Sequence, residues 1–487
     1  MSEEIRNLEP AIVWNNFENL NAVPRPSKKE ERVIAFMKLF GKELGLETIE
    51  DKVGNVIINK PATKGMENKL RVVLQAHLDM VHQKNADTEF DFNAQGIQSY
   101  IDGDWIKAKG TTLGADNGMG VAAMMALLQS NDIDHPELTA LFTIDEETGM
   151  TGAFELDASL VKGDIMLNLD TEDDDELSVG CAGGVDTNVQ MSYNEEIVPN
   201  DKIAYQLTVK GLKGGHSGVD IHLGRGNANK IMNDLMLDGD DLFGLRIVEI
   251  NGGSLRNAIP RESSAIVVID KEKIAYFEGE LVKRFDAAIN QFGDVEPALL
   301  IEWEQTDLPS KMMEIDAQNN IVEAIEHLPN GIHKMSPDYE GLVEASSNLA
   351  RIIIKDGQFT SQSLQRSSVE SSKKEIAQLI RQVFEKSGAN VSNTGDYPGW
   401  VLDPSAPILK LMKELYENKF GESPAVKAMH AGLECGILSK YFPEMQIISF
   451  GPTIRNPHSP DEMVNIKSVA KFWDFLKETL RNIPEKK

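Results

Sequence analysis

Three apolar runs of strand length, VVLQAH, LTALFTIDEE and DIMLNLDTED, each stop on a histidine or an acid. Between the first two lies GADNGMGVAAMMALLQS, which opens on Gly and Asp and then turns long and apolar. That pattern predicts a buried helix starting at Asp116 or Asn117. Strands alternating with helices confine the chain to an α/β class with a mostly parallel sheet. In such a sheet the carboxyl ends of the strands converge on one crevice. Polar residues delivered there by separate strands can meet, however distant they are in sequence.

The rest of the chain frames this core. Helical spacing is expected over 9–20 and from Lys28 to Leu44, with a short strand in NVIINK. After CAGGVD the pattern changes. Residues 203–210, 245–251, 263–270 and 298–304 alternate with period two, and charged amphipathic helices such as KEKIAYFEGELVKRFDAAINQFG separate them. This predicts an inserted α+β domain over 185–397, with the α/β domain formed by 1–184 and 398–487. Within the insert, IVEINGGSLRNAIPRESSAIVVID and LVEASSNLARIIIKDGQFTSQSLQRSSVESS both read strand, turn, strand, strand, and each leads into a helix closed by Gly. They suggest an internal repeat.

A net charge of −28 argues against nucleic acid or an anionic membrane as partner and tolerates cations. Two cysteines, Cys181 and Cys435, make no disulfide framework, so a reducing compartment is expected. Both read as small residues in Gly-rich surroundings. The N-terminal stretch lacks a secretory pattern, and no apolar run approaches the ~18–20 residues that span a bilayer. The expected location is cytoplasmic.

Five segments of the α/β part end in metal-ligand residue types: His77, Asp116, Glu146-Glu147, Asp170 and His458. Taken singly, each is an ordinary polar strand end. Together they favour a metal site, and imidazole plus carboxylate suits zinc, with manganese or cobalt as substitutes. A carboxylate at a helix N-terminus, as at Asp116, also gains from the helix dipole.

HLDMV, GADNGMG, DEETGMTGA, NLDTED and NPHSPDE resemble, in order, the metal motifs of the M20 metallopeptidase family. GLKGGHSG and NGGSLRNAIP resemble its lid motifs, and HAGLECG with the long insert is similar to its dipeptidase branch. The resemblance implies a zinc-peptidase-like catalytic domain with an inserted lid, and two Zn2+ per subunit sharing Asp116. His77 and Asp170 would hold one ion, Glu147 and His458 the other. Asp79 would accept the second ring N–H of His77 and fix its tautomer. Glu146 would take a proton from the attacking water and hand it to the leaving amine. The two glutamates would differ in role by pointing to opposite sides of a strand end. A cis peptide at Asp116–Asn117 is also implied.

From the same resemblance, His216 would stabilise the oxyanion. Asn257, Arg366 and His430 would take the substrate's C-terminal carboxylate, with His430 on the catalytic-domain side; Arg suits that task through its bidentate fork. His82, His135 and His222 read as ordinary histidines. The implied substrate is an unblocked dipeptide, Xaa-His dipeptides such as carnosine included. The insert is about twice the family's simpler lid, which suits a lid that mimics a lid dimer within one chain, and a homodimer through its outer face is compatible with that. The alternatives are an N-acyl amino acid amidohydrolase sharing the metal motifs, and a non-catalytic peptide-binding protein. The second would be expected to lack the base or a ligand, and this chain has all of them.

Overall fold

The computed structural model describes residues 3–85, 87–337, 341–385 and 387–486. The chain divides into two compact units. The first comprises Met1–Gly180, Leu402–Ala428 and Leu433–Lys487, and the second Cys181–Val401 with Met429–Gly432.

The first unit is built on an eight-stranded sheet. Its centre is parallel: Val72–His77 lies between Leu138–Thr143 and Ile165–Asn168, and Gln446–Ser449 adds to the latter. All six residues of Val72–His77 and of Leu138–Thr143 are buried. Strands flanked on both sides and covered on both faces need continuous apolar sequence, which is why these runs do not alternate. The parallel arrangement ends at the edges. Glu47–Glu50 and Val56–Lys60 form an antiparallel hairpin that also pairs antiparallel with Leu138–Thr143. Only five residues join those two strands, too few for a parallel crossover. The sheet is therefore mixed, with its four central strands paired in parallel.

Helix Ala115–Gln129 is buried on almost every side chain and contributes Met119, Val121, Ala122, Met124 and Leu127 to a core shared with Trp14, Phe17, Val72 and Leu74. Its first residues are not helical. Asp116 and Asn117 depart from helical φ/ψ, and the peptide between them is cis.

The second unit is a nine-stranded antiparallel sheet with helices. Its strand order is symmetric about the pairing of Arg246–Gly252 with Val343–Lys355. On one side follow Ser263–Asp270, Lys202–Lys210 and Leu300–Thr306; on the other follow Gln358–Ser367, Gly183–Ser192 and Asn390–Tyr397. Each half runs strand, helix, strand, strand, helix, strand, a split βαβ pattern. The first half is inserted into the second after Ser192. The two segments paired in the sequence occupy equivalent places, although Val343–Lys355 is one long strand where the sequence suggested two.

Candidate active site

Register aligns the central strands of the first unit so that His77 stands opposite Thr143 and Gln75 opposite Asn168. Glu146 and Asp170 therefore follow within three residues of one sheet edge. A buried polar ladder ties the strands together below it. Gln75 Nε2 donates to Thr143 Oγ1 (3.1 Å) and to Glu434 Oε2 (2.6 Å), Thr143 Oγ1 donates to Glu434 Oε2 (2.7 Å), and Asn168 Nδ2 donates to Gln75 Oε1.

Above that ladder the ligand-type residues gather. One group is His77, Asp116 and Asp170, and a second is Asp116, Glu147 and His458. In each, one ligand atom per residue lies within 4.8 Å of the others. Asp116 faces both ways: Oδ1 is 3.1 Å from His77 Nε2, and Oδ2 is 3.3 Å from His458 Nε2. His458 Nε2 is also 3.0 Å from Glu147 Oε2. Asn117 Nδ2 donates to Asp170 and to the Leu169 carbonyl, so the residue after Asp116 aims the Asp170 carboxylate just beyond the end of Ile165–Asn168. Geometry also groups Glu146 with His77 and Glu147, so proximity does not separate base from ligand. The two glutamates lie on a one-turn helix, Glu146–Gly149, rather than at a strand end as the sequence suggested.

Asp79 has several partners. Its Oδ1 lies 3.4 Å from His77 Nδ1 and accepts the Glu146 N–H (3.0 Å), while Oδ2 accepts the Ser27 hydroxyl (2.8 Å) and the Glu147 N–H (3.3 Å). The carboxylate thus fixes the backbone of the two glutamates, while His77 Nδ1 meets the Asp79 backbone carbonyl (3.1 Å) ahead of the carboxylate. Lys28 pairs with Asp145, which also accepts the hydroxyls of Thr148 and Thr151 and opens the same turn.

Charge inside the site is unbalanced. Burial, Glu147 and Asp170 push the Glu146 carboxyl well above its usual range against the pull of His77. Burial and Asp116 raise Glu147, and burial also lifts Asp170 well above the usual range. Burial works against protonating His458, yet hydrogen bonds to Asp116 and Glu147 prevail and raise it to about 11. Burial would lift Asp116, but hydrogen bonds from His458 and His77 hold it below the ordinary value. Buried carboxylates that raise one another's pKa are a poor resting state alone and a good one around divalent cations. The donor set, imidazole nitrogen with carboxylate oxygen, fits zinc and its substitutes.

Two further buried acids carry no role in the sequence reading. Burial raises Glu434 and Glu462 to about 7 each. Glu462 lies in the NPHSPDE motif, four residues after His458, and that proximity was its sequence signal. Glu434 had a comparable one in HAGLECG. Arg25 had none, because it belongs to no polar motif.

In the second unit, His216 and Gly215 pair with Ala258 and Ile259, and the Ser217 N–H donates to the Asn257 carbonyl (2.7 Å). The two lid-type motifs are therefore neighbours. The Gly218 and Val219 N–H groups donate to His216 Nδ1 at 3.2 and 3.0 Å. In the neutral imidazole this leaves the proton on Nε2, making that atom a donor. Arg366 is buried; its Nε donates to Ser217 Oγ (3.3 Å) and its Nη1 to Tyr397 Oη (2.8 Å). His430 Nε2 lies 2.8 Å from Ser346 Oγ, and burial, then Arg366 and His216, lower its pKa to about 3. The sequence reading had His430 on the catalytic side; Met429–Gly432 instead clusters with the second unit. Gly218 is required there, since a Cβ would collide with the His430 carbonyl. Asn257 is exposed in its loop, and His135 is a fully buried histidine bonded to the Pro136 carbonyl.

The model of peptidase family M20/M25/M40 matches residues 73–482, and the chain belongs to that family. It is an enzyme of the peptidase class. It is 40% identical over 484 residues to the cytosol non-specific dipeptidase of Escherichia coli K12, covering 99% of this chain and 100% of that one. The crystal structure of aminoacylhistidine dipeptidase from Vibrio alginolyticus superposes with a TM-score of 0.90 at 43% identity, covering 100% and 99% of the two chains. Human carnosine dipeptidase 1, at 12% identity, a TM-score of 0.51 and coverage of 97% and 96%, shares the fold. Among the described residues no helix is long and apolar enough to cross a membrane.

Proposed function

We propose that this chain is a cytosolic di-zinc dipeptidase that hydrolyses unblocked dipeptides with broad specificity, Xaa-His dipeptides such as carnosine included. The observation that carries the reading is Asp116, whose two carboxylate oxygens face two separate ligand groups. The relatives that are 40% and 43% identical to it, both dipeptidases by name, support the substrate class.

His77, Asp116 and Asp170 would hold one ion and Asp116, Glu147 and His458 the other. Bound there, the ions would polarise the scissile carbonyl and make water a better nucleophile at neutral pH. Glu146 takes the proton from the attacking water and delivers it to the leaving amine. Burial, which raises its pKa, suits the return step by favouring the proton-bound form until the amine leaves. His216 donates from Nε2 to the developing oxyanion, the tautomer for which its Nδ1 contacts select. Arg366, His430 and Asn257 take the C-terminal carboxylate. We assign His216 to the site of its own chain, so mixed subunits carrying His216→Ala and Glu146→Ala should show no complementation.

The experiment is a substrate panel on the metal-loaded enzyme: a free dipeptide such as carnosine, its C-terminal amide, a tripeptide and an N-acetyl amino acid. Free dipeptides should be cut well and the others poorly, since each misplaces a terminal charge and strands a buried polar partner. Preferred cleavage of the N-acetyl amino acid would replace this reading with an amidohydrolase. Equal kcat/KM for dipeptide and amide would point to an aminopeptidase.

A further inference from the structure

The turn that presents Asp116 is held by a single carboxylate. Glu462 is buried, and its Oε2 accepts the N–H groups of Leu113 (2.7 Å) and Gly114 (2.9 Å) while Oε1 accepts those of Ala115 (2.7 Å) and Asp116 (3.2 Å). Four consecutive amides on one carboxylate leave the turn little freedom. Glu462 sits four residues beyond His458, with the Glu462 N–H bonded to the Ser459 carbonyl (3.0 Å). It therefore couples the loop of one ligand to the turn of another.

A second grip reaches the same turn from the other side. Arg25 is buried, and its Nη1 donates to the carbonyls of Leu78 and Asp79, both at 3.1 Å. Its Nη2 donates to the Gly114 carbonyl (2.5 Å) and to Asn21 Oδ1 (3.2 Å). The guanidinium joins the end of the His77 strand to the Asp116 turn. Gly114 has φ +69°, and a Cβ at Gly114 or Gly118 would collide with this guanidinium. Two glycines of GADNGMG are thus explained by Arg25 rather than by the metal.

Sorting these contacts by ligand group gives a division of labour. Glu462 spans Asp116 and His458, two of the three members of one group. Arg25 spans His77 and Asp116, two of the three members of the other. We infer that Glu462 and Arg25 are positioning residues that each set the affinity of one of the two metal positions: Glu462 the Asp116–Glu147–His458 position, Arg25 the His77–Asp116–Asp170 position. This rests on the two-metal reading above. Outer partners of metal ligands typically change affinity about 10–100-fold when altered, and the loss here falls on one ion rather than on both.

The test is zinc titration of the chelator-stripped full chain, read by the number of ions retained after desalting and by their affinities, with thermal unfolding of the metal-free chain alongside. Wild type should retain two ions. Glu462→Gln offers one acceptor oxygen where two took four amides, and should keep one tight ion and weaken the other about 10–100-fold. Adding His458→Ala to Glu462→Gln should cost no further ion, whereas adding His77→Ala should cost the second. Arg25→Lys should reverse that pattern, because one ammonium cannot reach carbonyls on both segments. Glu462→Asp keeps the charge at shorter reach and should fall between, which keeps the test open if Glu462→Gln does not fold. Excess zinc should restore kcat of the single variants with KM unchanged. Two ions bound with wild-type affinities in Glu462→Gln, beside a lowered unfolding temperature of the metal-free chain, would overturn the inference and leave Glu462 merely structural. Fewer than two ions in wild type would instead remove the two-metal reading and the inference with it.

Discussion

The two units solve opposite electrostatic problems. In the first, burial and mutual repulsion raise Glu146, Glu147 and Asp170, so the pocket resists its own negative charge. In the second, burial with Arg366 and His216 keeps His430 neutral, and the buried Arg366 guanidinium donates to the hydroxyls of Ser217 and Tyr397. The first cluster suits cations, and on the function proposed above the second would take an anion. The lesson is that a site's unbalanced charge, read before any ligand is present, names the sign of what belongs there.

The comparison breaks most severely at Asp116. Asp116→Ala removes the carboxylate common to both ligand groups, and two cations without it would repel. Both metals and all measurable turnover should go together, as metal analysis and assay of the purified variant would show. Two tightly held ions would end the bridging assignment. Glu146→Gln is the next largest effect. It should keep two metals and lose kcat by ~10²–10⁴-fold, the usual worth of a general acid–base. Near-normal turnover with both metals bound would mean that Glu146 is not the base.

Arg366→Ala tests the other unit. Losing a charge-assisted pair should raise KM for a free dipeptide by about 10–100-fold with little change in kcat. The dipeptide amide, which lacks the negative charge, should be nearly indifferent. A fall in kcat with KM unchanged would move Arg366 from holding the substrate to stabilising the transition state.

Legibility followed the same divide. In the first unit His77 ends a buried strand, Asp170 follows another by two residues and Asp116 opens a buried helix, so the hydrophobic pattern pointed at these three before any resemblance was used. His216, Arg366 and His430 come from a two-residue strand, an antiparallel strand and a short segment remote from both in sequence. Alternation of period two assigns such residues to a face but not to a partner. The antiparallel edge of the sheet was not legible, because an apolar run looks the same in a parallel centre and beside an antiparallel neighbour, as Val56–Lys60 shows. Arg25 and Glu462 escaped notice for a different reason. They act on backbone carbonyls and amides, so the sequence names no partner for either, even though Glu462 lies inside NPHSPDE.

The smallest expected effect sharpens the comparison through pH. Glu434 is fully buried beneath the site, its Oε2 held by Gln75 and Thr143, and burial raises it to about 7. A carboxyl whose pKa is higher folded than unfolded gives stability that is complete below the unfolded value. That stability is lost as pH rises through the folded one. Between about pH 4.5 and just above 7 the first unit should therefore lose on the order of 3 kcal/mol from this residue. His430 runs the other way: a histidine lowered to about 3 stabilises fully above its unfolded value near 6.5, and loses that contribution as pH falls toward 3. Glu434→Gln keeps an acceptor for Gln75 and Thr143 but cannot ionise. The metal-free variant should unfold at the same temperature as its parent near pH 4.5 and at a higher one at pH 8, with the gap opening between. Hydrogen exchange should locate the gain in the first unit alone. Parallel pH profiles for the two chains would show that Glu434 ionises in the folded protein as readily as in the unfolded one, and the contrast between the units would then rest on the ligand carboxylates without it.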